Sequence, residues 1–413
     1  MLSIKDFENL VPDKSLPVSQ WDWTKAFDKL MQSNETDVMI PFGTYLLKYT
    51  LKISKPKNIY GNQAILMLEA PLQIEGSDIV LKDLKFRSEK QVRAIQLHIT
   101  RNVDVNNCNF DDIMETAIYF ENKSHQNVSI KDCNFEKIGR NITDIVNKGH
   151  AIYVQNANTV FIENCKMHEI WGQSAITVRS SSNIKVTKCT IEDTAYRGIQ
   201  TFGSDSGSAA DSVRNMEILE CEIRRTGELN QTPKGDATNG IFVRNPQGTA
   251  ADVKISNCTI EYCGENFIEG NFHAYNNTMN YSGYYPHFTT SSKEGLFPQT
   301  NSLIEGNSIN YSYLEAIKVF FSRNNIMINN NRILDWDMTT SSKDSFLPAI
   351  TMQTWVSSDV IKDITIQNNT ITGPARKLMI GNTVKGEQEV IKKIPSPGTF
   401  GTIVYANNQI IVE

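Results

Sequence analysis

The chain has 413 residues, a formal net charge of −5 and a pI near 5.8, so its composition carries no basic footprint of the kind that holds nucleic acid. No apolar run approaches the length needed to span a bilayer, and the opening MLSIKDFENL lacks the basic-then-apolar order of an export signal. Unless a leader has been removed, synthesis in a cytoplasm is expected, and seven cysteines without a CxxC pair suit a reducing compartment.

Residues 1 to 20 read as irregular, broken by Pro12 and Pro17. From 22 to 33 the pattern is that of an amphipathic helix, with Trp23, Phe27, Leu30 and Met31 on one face. The first 37 residues are therefore taken as a terminal segment with a capping helix, and 38–413 as a repetitive body. After the helix come Val38-Met39-Ile40-Pro41-Phe42-Gly43-Thr44-Tyr45 and strands near 51–53 and 58–65.

Between 103 and 260 one phrase returns: VNNCNF, IKDCNF, IENCKM, VTKCTI, LECEI and ISNCTI. Its cysteines are Cys108, Cys133, Cys165, Cys189, Cys221 and Cys258, each followed two residues later by a large apolar residue. Beyond them asparagine takes the same slot at Asn277, Asn307, Asn331, Asn369 and Asn408. A repeat this short cannot bury an apolar face alone and must stack on its neighbours. Apolar residues alternate with period two, as at Val160 and Ile162, which points to strands. A second phrase, Ala-Ile or Gly-Ile, recurs once per repeat at Ile118, Ile152, Ile176, Ile199, Ile241, Ile317 and Ile350.

Two or three short strands per turn, stacked in parallel about 4.8 Å apart, describe an all-β parallel β-helix of about eleven or more rungs. The cysteine column reads as small buried thiols and the asparagine column as a stacked amide ladder.

The order helix, V-x-I-P-x-G-x-Y at 38–45, strand, Ile59-Tyr60-Gly61 resembles the opening of the pectate-lyase-like right-handed parallel β-helix proteins, nearest to the bacteriophage tailspikes and polysaccharide depolymerases. The resemblance implies a polysaccharide partner, a homotrimer, and a tail-associated or extracellular location after release. The polygalacturonase NTD, DD, GHG and RIK series, the RxPxxR element of pectate lyases and the RHGN of alginate and chondroitin lyases are absent.

If the repeated isoleucines point inward, the next residue of each strand points outward. That row holds Tyr119, Tyr153, Thr177, Gln200, Phe242, Glu269, Lys318 and Thr351, and two positions on lie Glu121, Gln155, Arg179, Phe202, Arg244, Asn271, Phe320 and Gln353. Aromatics, amides and guanidinium groups interleaved in this way suit a sugar chain, with Tyr153, Arg179, Gln200, Phe242, Arg244, Asn271 and Phe320 as substrate contacts. Counting the phrases puts Glu269 and Lys318 on adjacent rungs, with Glu315 at the lip of the Lys318 strand and Glu265 one turn residue away.

Two carboxylates across a groove could cleave a glycoside. Alternatively, Lys318 with a lowered pKa could take the proton α to a uronate carboxylate, with Arg244 neutralising that carboxylate. The plain reading is an exposed Glu269–Lys318 salt bridge. Asp205, Asp211 and Asp236 lie in turn-rich additions, and Trp171, Trp336 and Trp355 either line the groove or are simply packed.

Additions at 139–149, 203–212, 227–239, 281–300, 337–347 and 373–399 are expected as loops beside the groove. No metal-ligand spacing or cofactor motif is present, and Ca²⁺ through loop carboxylates is the one open option. The sequence thus predicts a carbohydrate-active protein, glycoside hydrolase or polysaccharide lyase, with a non-catalytic glycan-binding fibre and a polysaccharide epimerase as rivals.

Overall fold

The computed structural model describes residues 1–140, 142, 148–202, 212–230, 238–244, 252–285, 293–338, 347–394 and 397–413. Two compact units divide it, Met1–Ala195 and Tyr196–Glu413. Both are built from rungs of up to three short strands. In the first unit one rung is Ile152–Gln155, Ala157–Glu163 and Lys166–Ile170; in the second, Ile317–Phe320, Arg323–Asn329 and Arg332–Trp336 form another.

Among the described residues the rung strands pair in parallel with their counterparts on the next rung, and only the short pair Met379–Ile380 and Thr383–Val384 is antiparallel. Ile95, Ile118, Ile152 and Ile176 fall in line in the first unit, and Ile199, Ile241, Ile268 and Leu296 in the second. The period-two pattern is the cause, since alternate residues enter a core that has room only for apolar side chains.

The repeated phrase marks the sharp bend between the second and third strands. The residue before each ladder position takes the left-handed conformation: Asn107 at φ 49°, Asp132 at 55°, Asn164 at 52°, Asn276 at 53°, Asn330 at 54° and Asn368 at 56°. Asn and Asp tolerate that region far better than other side chains do. Gly306 fills one such position at φ 68°, where an added Cβ would lie 2.3 Å from Asn276 Oδ1.

Inside the bend the ladder side chain reaches back to a carbonyl of the preceding rung. Cys108 Sγ donates to Leu81 O at 3.6 Å, Cys133 Sγ to Val105 O at 3.5 Å and Cys165 Sγ to Ile130 O at 3.6 Å. The asparagines make the same bond more tightly, Asn277 Nδ2 to Ile255 O at 2.9 Å and Asn331 Nδ2 to Ile304 O at 2.9 Å. They also join one another: Asn277 Nδ2 donates to Asn307 Oδ1, Asn307 to Asn331, Asn331 to Asn369 and Asn369 to Asn408, all within 2.8–3.0 Å. All seven thiols are free and buried. Two residues on, Phe86, Phe110 and Phe135 stack at 4.9 and 4.8 Å.

Three expectations need correction. Residues 1–20 are ordered: Leu2–Ser3 pairs with Asp37–Met39, and Ile4–Leu10 is a 3-10 helix whose Ser3 cap accepts from Lys5 N at 3.2 Å. Their apolar residues Leu2 and Ile4 draw them onto the first strands, and helix Thr24–Gln32 packs Ala26, Phe27, Leu30 and Met31 inward beside them.

The segment 281–300 is no mere loop, because Leu296–Pro298 is a strand in register with Ile268–Gly270. Likewise 373–399 supplies Ile391–Ile394, paired with Ile350–Gln353, and its helix Ala375–Leu378 touches the strand Gln409–Val412. Each carries the outward-inward alternation of a rung without the Ala-Ile spelling.

Two tests follow. Asn331→Ala removes a side chain that donates to Ile304 O and Asn369 Oδ1 and accepts from the backbone N and Nδ2 of Asn307; denaturant unfolding should show about 2–4 kcal/mol lost, since buried partners are left unmatched. The thiols should be silent toward a thiol-specific reagent until the chain unfolds. Burial pushes Cys263 up to about 12, and the Cys108 thiol together with burial pushes Cys133 well above the ordinary thiol range.

Candidate functional site

The outward row in the second unit runs Gln200, Phe242, Glu269, Phe297, and the pairing of Leu296 with Ile317 sets Lys318 next. Thr351 and Lys392 follow. Glu269 and Lys318 are therefore not on adjacent rungs. The rung of Phe297 lies between them, and among the described residues no salt bridge joins them.

Beside this row stands a second column, two residues before each inward apolar residue: Arg197, Asn239, Asn266, Glu294 and Glu315. Backbone bonds fix its register, with Gly198 N to Asn239 O at 3.3 Å, Gly240 N to Asn266 O at 3.1 Å, Phe267 N to Gly295 O at 2.9 Å and Gly295 N to Glu315 O at 2.9 Å. Gln200, Phe242, Glu269 and Lys318 each lean onto the lip residue of their own rung or of the rung before. Gln200 Oε1 accepts from Arg197 at 2.8 Å, and the Arg197 guanidinium lies 4.0 Å over the Phe242 ring. Glu269 Oε2 accepts from Asn239 Nδ2 at 3.0 Å and Asn266 Nδ2 at 3.3 Å. Lys318 Nζ donates to Glu294 Oε1 at 2.8 Å and stands 3.8 Å from Glu315 Oε1.

The first unit repeats the rule with other chemistry. Arg93 lies 3.5 Å over Tyr119, and Thr177 Oγ1 meets Ser174 Oγ at 2.6 Å and His150 Nδ1 at 3.1 Å. Burial pushes His150 down to about 4, so it stays neutral inside the fold.

The carboxylates of the second unit are costly to place. Glu294 is 2% exposed and Glu315 3%, and among the described residues each leaves its Oε2 buried without a hydrogen-bond partner. Burial, above all, holds the Glu269 carboxyl above the ordinary carboxylate range; the charge of Glu294 adds to this, while Arg197 and the two asparagine amides pull the other way. Burial likewise raises Glu315 against the pull of Lys318.

For Lys318, burial disfavours the charge, but Glu294 and Glu315 outweigh it and the ammonium's pKa rises. The lowered pKa that a proton-abstracting Lys318 requires is thus contradicted, because two carboxylates answer its charge.

The other expected contacts divide between the units. Tyr153 is buried in the first unit, stacked on Tyr119 at 5.0 Å, and Arg179 hydrogen-bonds its hydroxyl. In the second, Gln200 is fully covered, Asn271 is buried, Arg244 is exposed and Phe320 half-buried. Glu265 is buried and accepts from Thr238 N at 2.8 Å. Asp205, Asp211 and Asp236 lie outside the described residues. Trp336 is packed, its indole donating to Leu347 O at 2.7 Å, whereas Trp355 is 61% exposed.

Asn239, Asn266, Glu294, Phe297 and Arg197 were missed in the sequence. The signal of the four lip residues was present as the residue immediately before each Gly-Ile, Phe-Ile or Gly-Leu pair, and that of Phe297 as the residue after Gly295-Leu296. Among the described residues no group of three or more His, Cys, Asp or Glu side chains is placed to hold a metal ion, and no helix is long and apolar enough to cross a membrane.

Residues 93–269 match the family described as right handed beta helix region. No curated protein matches the sequence. Among solved structures the chain is similar to the A-module of a mannuronan C-5 epimerase from Azotobacter vinelandii, at 12% identity over 100% of this chain and 96% of that one, with a TM-score of 0.52. It is also similar to PfbA, a surface adhesin of Streptococcus pneumoniae, at 13% identity over 100% and 91%, with a TM-score of 0.51. The N-terminal fragment of bacteriophage Phi29 gene product 12 shares 12% identity over 90% of this chain and 66% of that one, with a TM-score of 0.50. Strand register, the matched region and these likenesses agree that the chain is a right-handed parallel β-helix.

Proposed function

We propose that the protein binds a polysaccharide along the outward row of its second unit and hydrolyses a glycosidic bond there. The observation that carries this reading is a pair of neighbouring carboxyl groups in opposed surroundings. Burial raises the pKa of Glu269 against the pull of two amides, and Glu294, on the next rung, is ion-paired to Lys318. Two carboxyls whose environments differ in this way divide the roles of acid and base or nucleophile. Glu269 gives its proton to the glycosidic oxygen as the bond to the leaving sugar breaks. The Glu294 carboxylate either activates water or attacks the anomeric carbon, with Lys318 and Glu315 fixing its position.

Hydrolysis is preferred over β-elimination because Lys318, the candidate base, is tied to carboxylates. The binding-only reading has one observation in its favour: Glu294, Lys318 and Glu315 are nearly closed from solvent, as a structural ion triplet would be. Product analysis separates these readings. New reducing ends alone mean hydrolysis, ultraviolet absorbance of an unsaturated uronate means elimination, and retention of an uncut polymer means a glycan-holding fibre.

Glu269→Gln should cut about 100-fold slower or worse with binding kept, within the range of general acid catalysis; an unchanged rate would remove Glu269 from the chemistry. A second outcome needs no substrate. The folded-state pKa of Glu269 is raised, so the folded chain favours its protonated form at low pH and meets the full cost of its charge only once pH passes the folded pKa. The melting temperature of Glu269→Gln relative to the parent should therefore climb as pH is raised from acid to neutral; a flat or falling difference would contradict the assigned environment.

A further inference from the structure

We propose that the corner made by Trp355, Phe320 and Phe321 is a stacking subsite for a neutral pyranose ring of the bound polysaccharide. The inference rests on the glycan-binding reading above and adds to it a place and a sugar class. Trp355 is 61% exposed and Phe321 40%, while Trp23 and Trp336 are each 1% exposed. The three rings form one surface: Phe320 meets Phe321 at 4.1 Å and Trp355 edge-on at 5.8 Å. Val356 and Val360 extend it outward.

This surface is held in place. Asp359, itself buried, accepts from Trp355 N at 2.7 Å, Val356 N at 3.0 Å and Ser322 Oγ at 3.0 Å, and its backbone is bonded to Val356 O and Thr399 N. Phe321 sits at φ 65°, a conformation that Asn and Asp take at most other bends of this fold and that a bulky ring adopts only under constraint. A turn fixed this firmly to present an indole to water is a binding device rather than leftover surface.

The occupant follows from continuity and charge. Phe320 lies 6.3 Å from Phe297, the residue in register with Glu269, and its ring centroid is 5.4 Å from Lys318 Nζ. A chain lying over Glu269 thus has its next ring at this corner. The cations here are already answered. Lys318 is held by Glu294 and Glu315, and Arg323 lies in the field of Asp359 and Glu269 with a guanidinium nitrogen donating to Ser322 O at 2.8 Å. Among the described residues the two cations that stand over these rings, Lys318 at Phe320 and Arg323 at Phe321, are thus already engaged, and the carboxylates of Glu315 and Asp359 beside them disfavour a uronate. A neutral ring offers the C–H face that aromatic edges and faces prefer.

The test uses the full chain carrying Glu269→Gln, which keeps the polymer uncut, against a panel of neutral and uronate-containing polysaccharides. A neutral polymer should change the tryptophan emission on binding. Trp355→Ala should remove that change and weaken binding by about tenfold or more, with Trp355→Phe recovering most of the affinity. Equal binding by Trp355→Ala overturns the subsite, and tighter binding of a uronate polymer through Trp355 overturns the sugar class. An emission change that tracks protein concentration without glycan, together with a larger solution mass, assigns the corner to contact between copies instead. Failure of every polymer to bind removes the subsite along with the reading beneath it. Binding by a parent chain that never cuts sinks only the hydrolase, and the subsite stands.

Discussion

The structure depends on one hydrogen bond, repeated rung after rung: a side chain inside each bend donates to a carbonyl of the preceding rung. Cys165 Sγ and Asn331 Nδ2 make the same contact with different atoms, at 3.6 and 2.9 Å. A thiol can do little more than this, and in the first unit stacked phenylalanines stand two residues away. An amide also accepts, so each asparagine of the second unit takes up the backbone N–H of the one before it, as Asn369 Oδ1 does for Asn331 N at 2.9 Å. Each such bond is worth about 1 kcal/mol net, but its larger effect is geometric. A bend fixed at one residue fixes which neighbours face outward, because a slip of one position would turn every side chain over.

From that constraint the site follows with little freedom. Successive outward residues lie one inter-strand spacing apart, too close to ignore the lip column beside them, and Gln200, Phe242, Glu269 and Lys318 settle against the lip residue of their own rung or of the one before. Where the lip residue is serine or histidine the result is a neutral network, as at Thr177; where it is glutamate the result is an ion pair, as at Lys318. Buried carboxylates such as Glu294 and Glu315 stabilise a fold poorly, since desolvation takes back most of what pairing gives. Beside a core made mostly of isoleucine and valine they are a local conflict, as the buried Lys377 paired with Asp335 is elsewhere, and such conflicts collect at functional sites.

Most of the architecture could be read in the chain because it rests on period and on side-chain size, both of which are local. Phe110 over Phe135 and Ile260 over Met279 appear in register where the phrases place them. Leu296–Pro298 was hidden because its inward residue is leucine after glycine rather than isoleucine after alanine or glycine. The lip column escaped for a different reason. Arg197, Asn239, Asn266, Glu294 and Glu315 share a position and no chemistry, so composition gives no hint of it. Lys318 lies on the outward row as expected but differs in character, since Glu294, the closer of its two carboxylate partners, comes from the rung that carries no Ala-Ile phrase.

That rung decides the chemistry. Two adjacent rungs put backbones about 4.8 Å apart, and a rung between doubles the separation to roughly 10 Å. At the shorter distance Glu269 and Lys318 would have neutralised each other, and a lysine base beside a carboxylate would have been a natural reading. With Phe297 interposed, the rung next to Glu269 brings Glu294 instead, whose charge adds to burial in raising the pKa of Glu269. Lys318 is left to hold Glu294 from the far side. The fold thus offers a carboxyl pair with a cation behind one member, rather than a carboxylate with a base, and it is this arrangement on which the proposed acid-assisted cleavage rests.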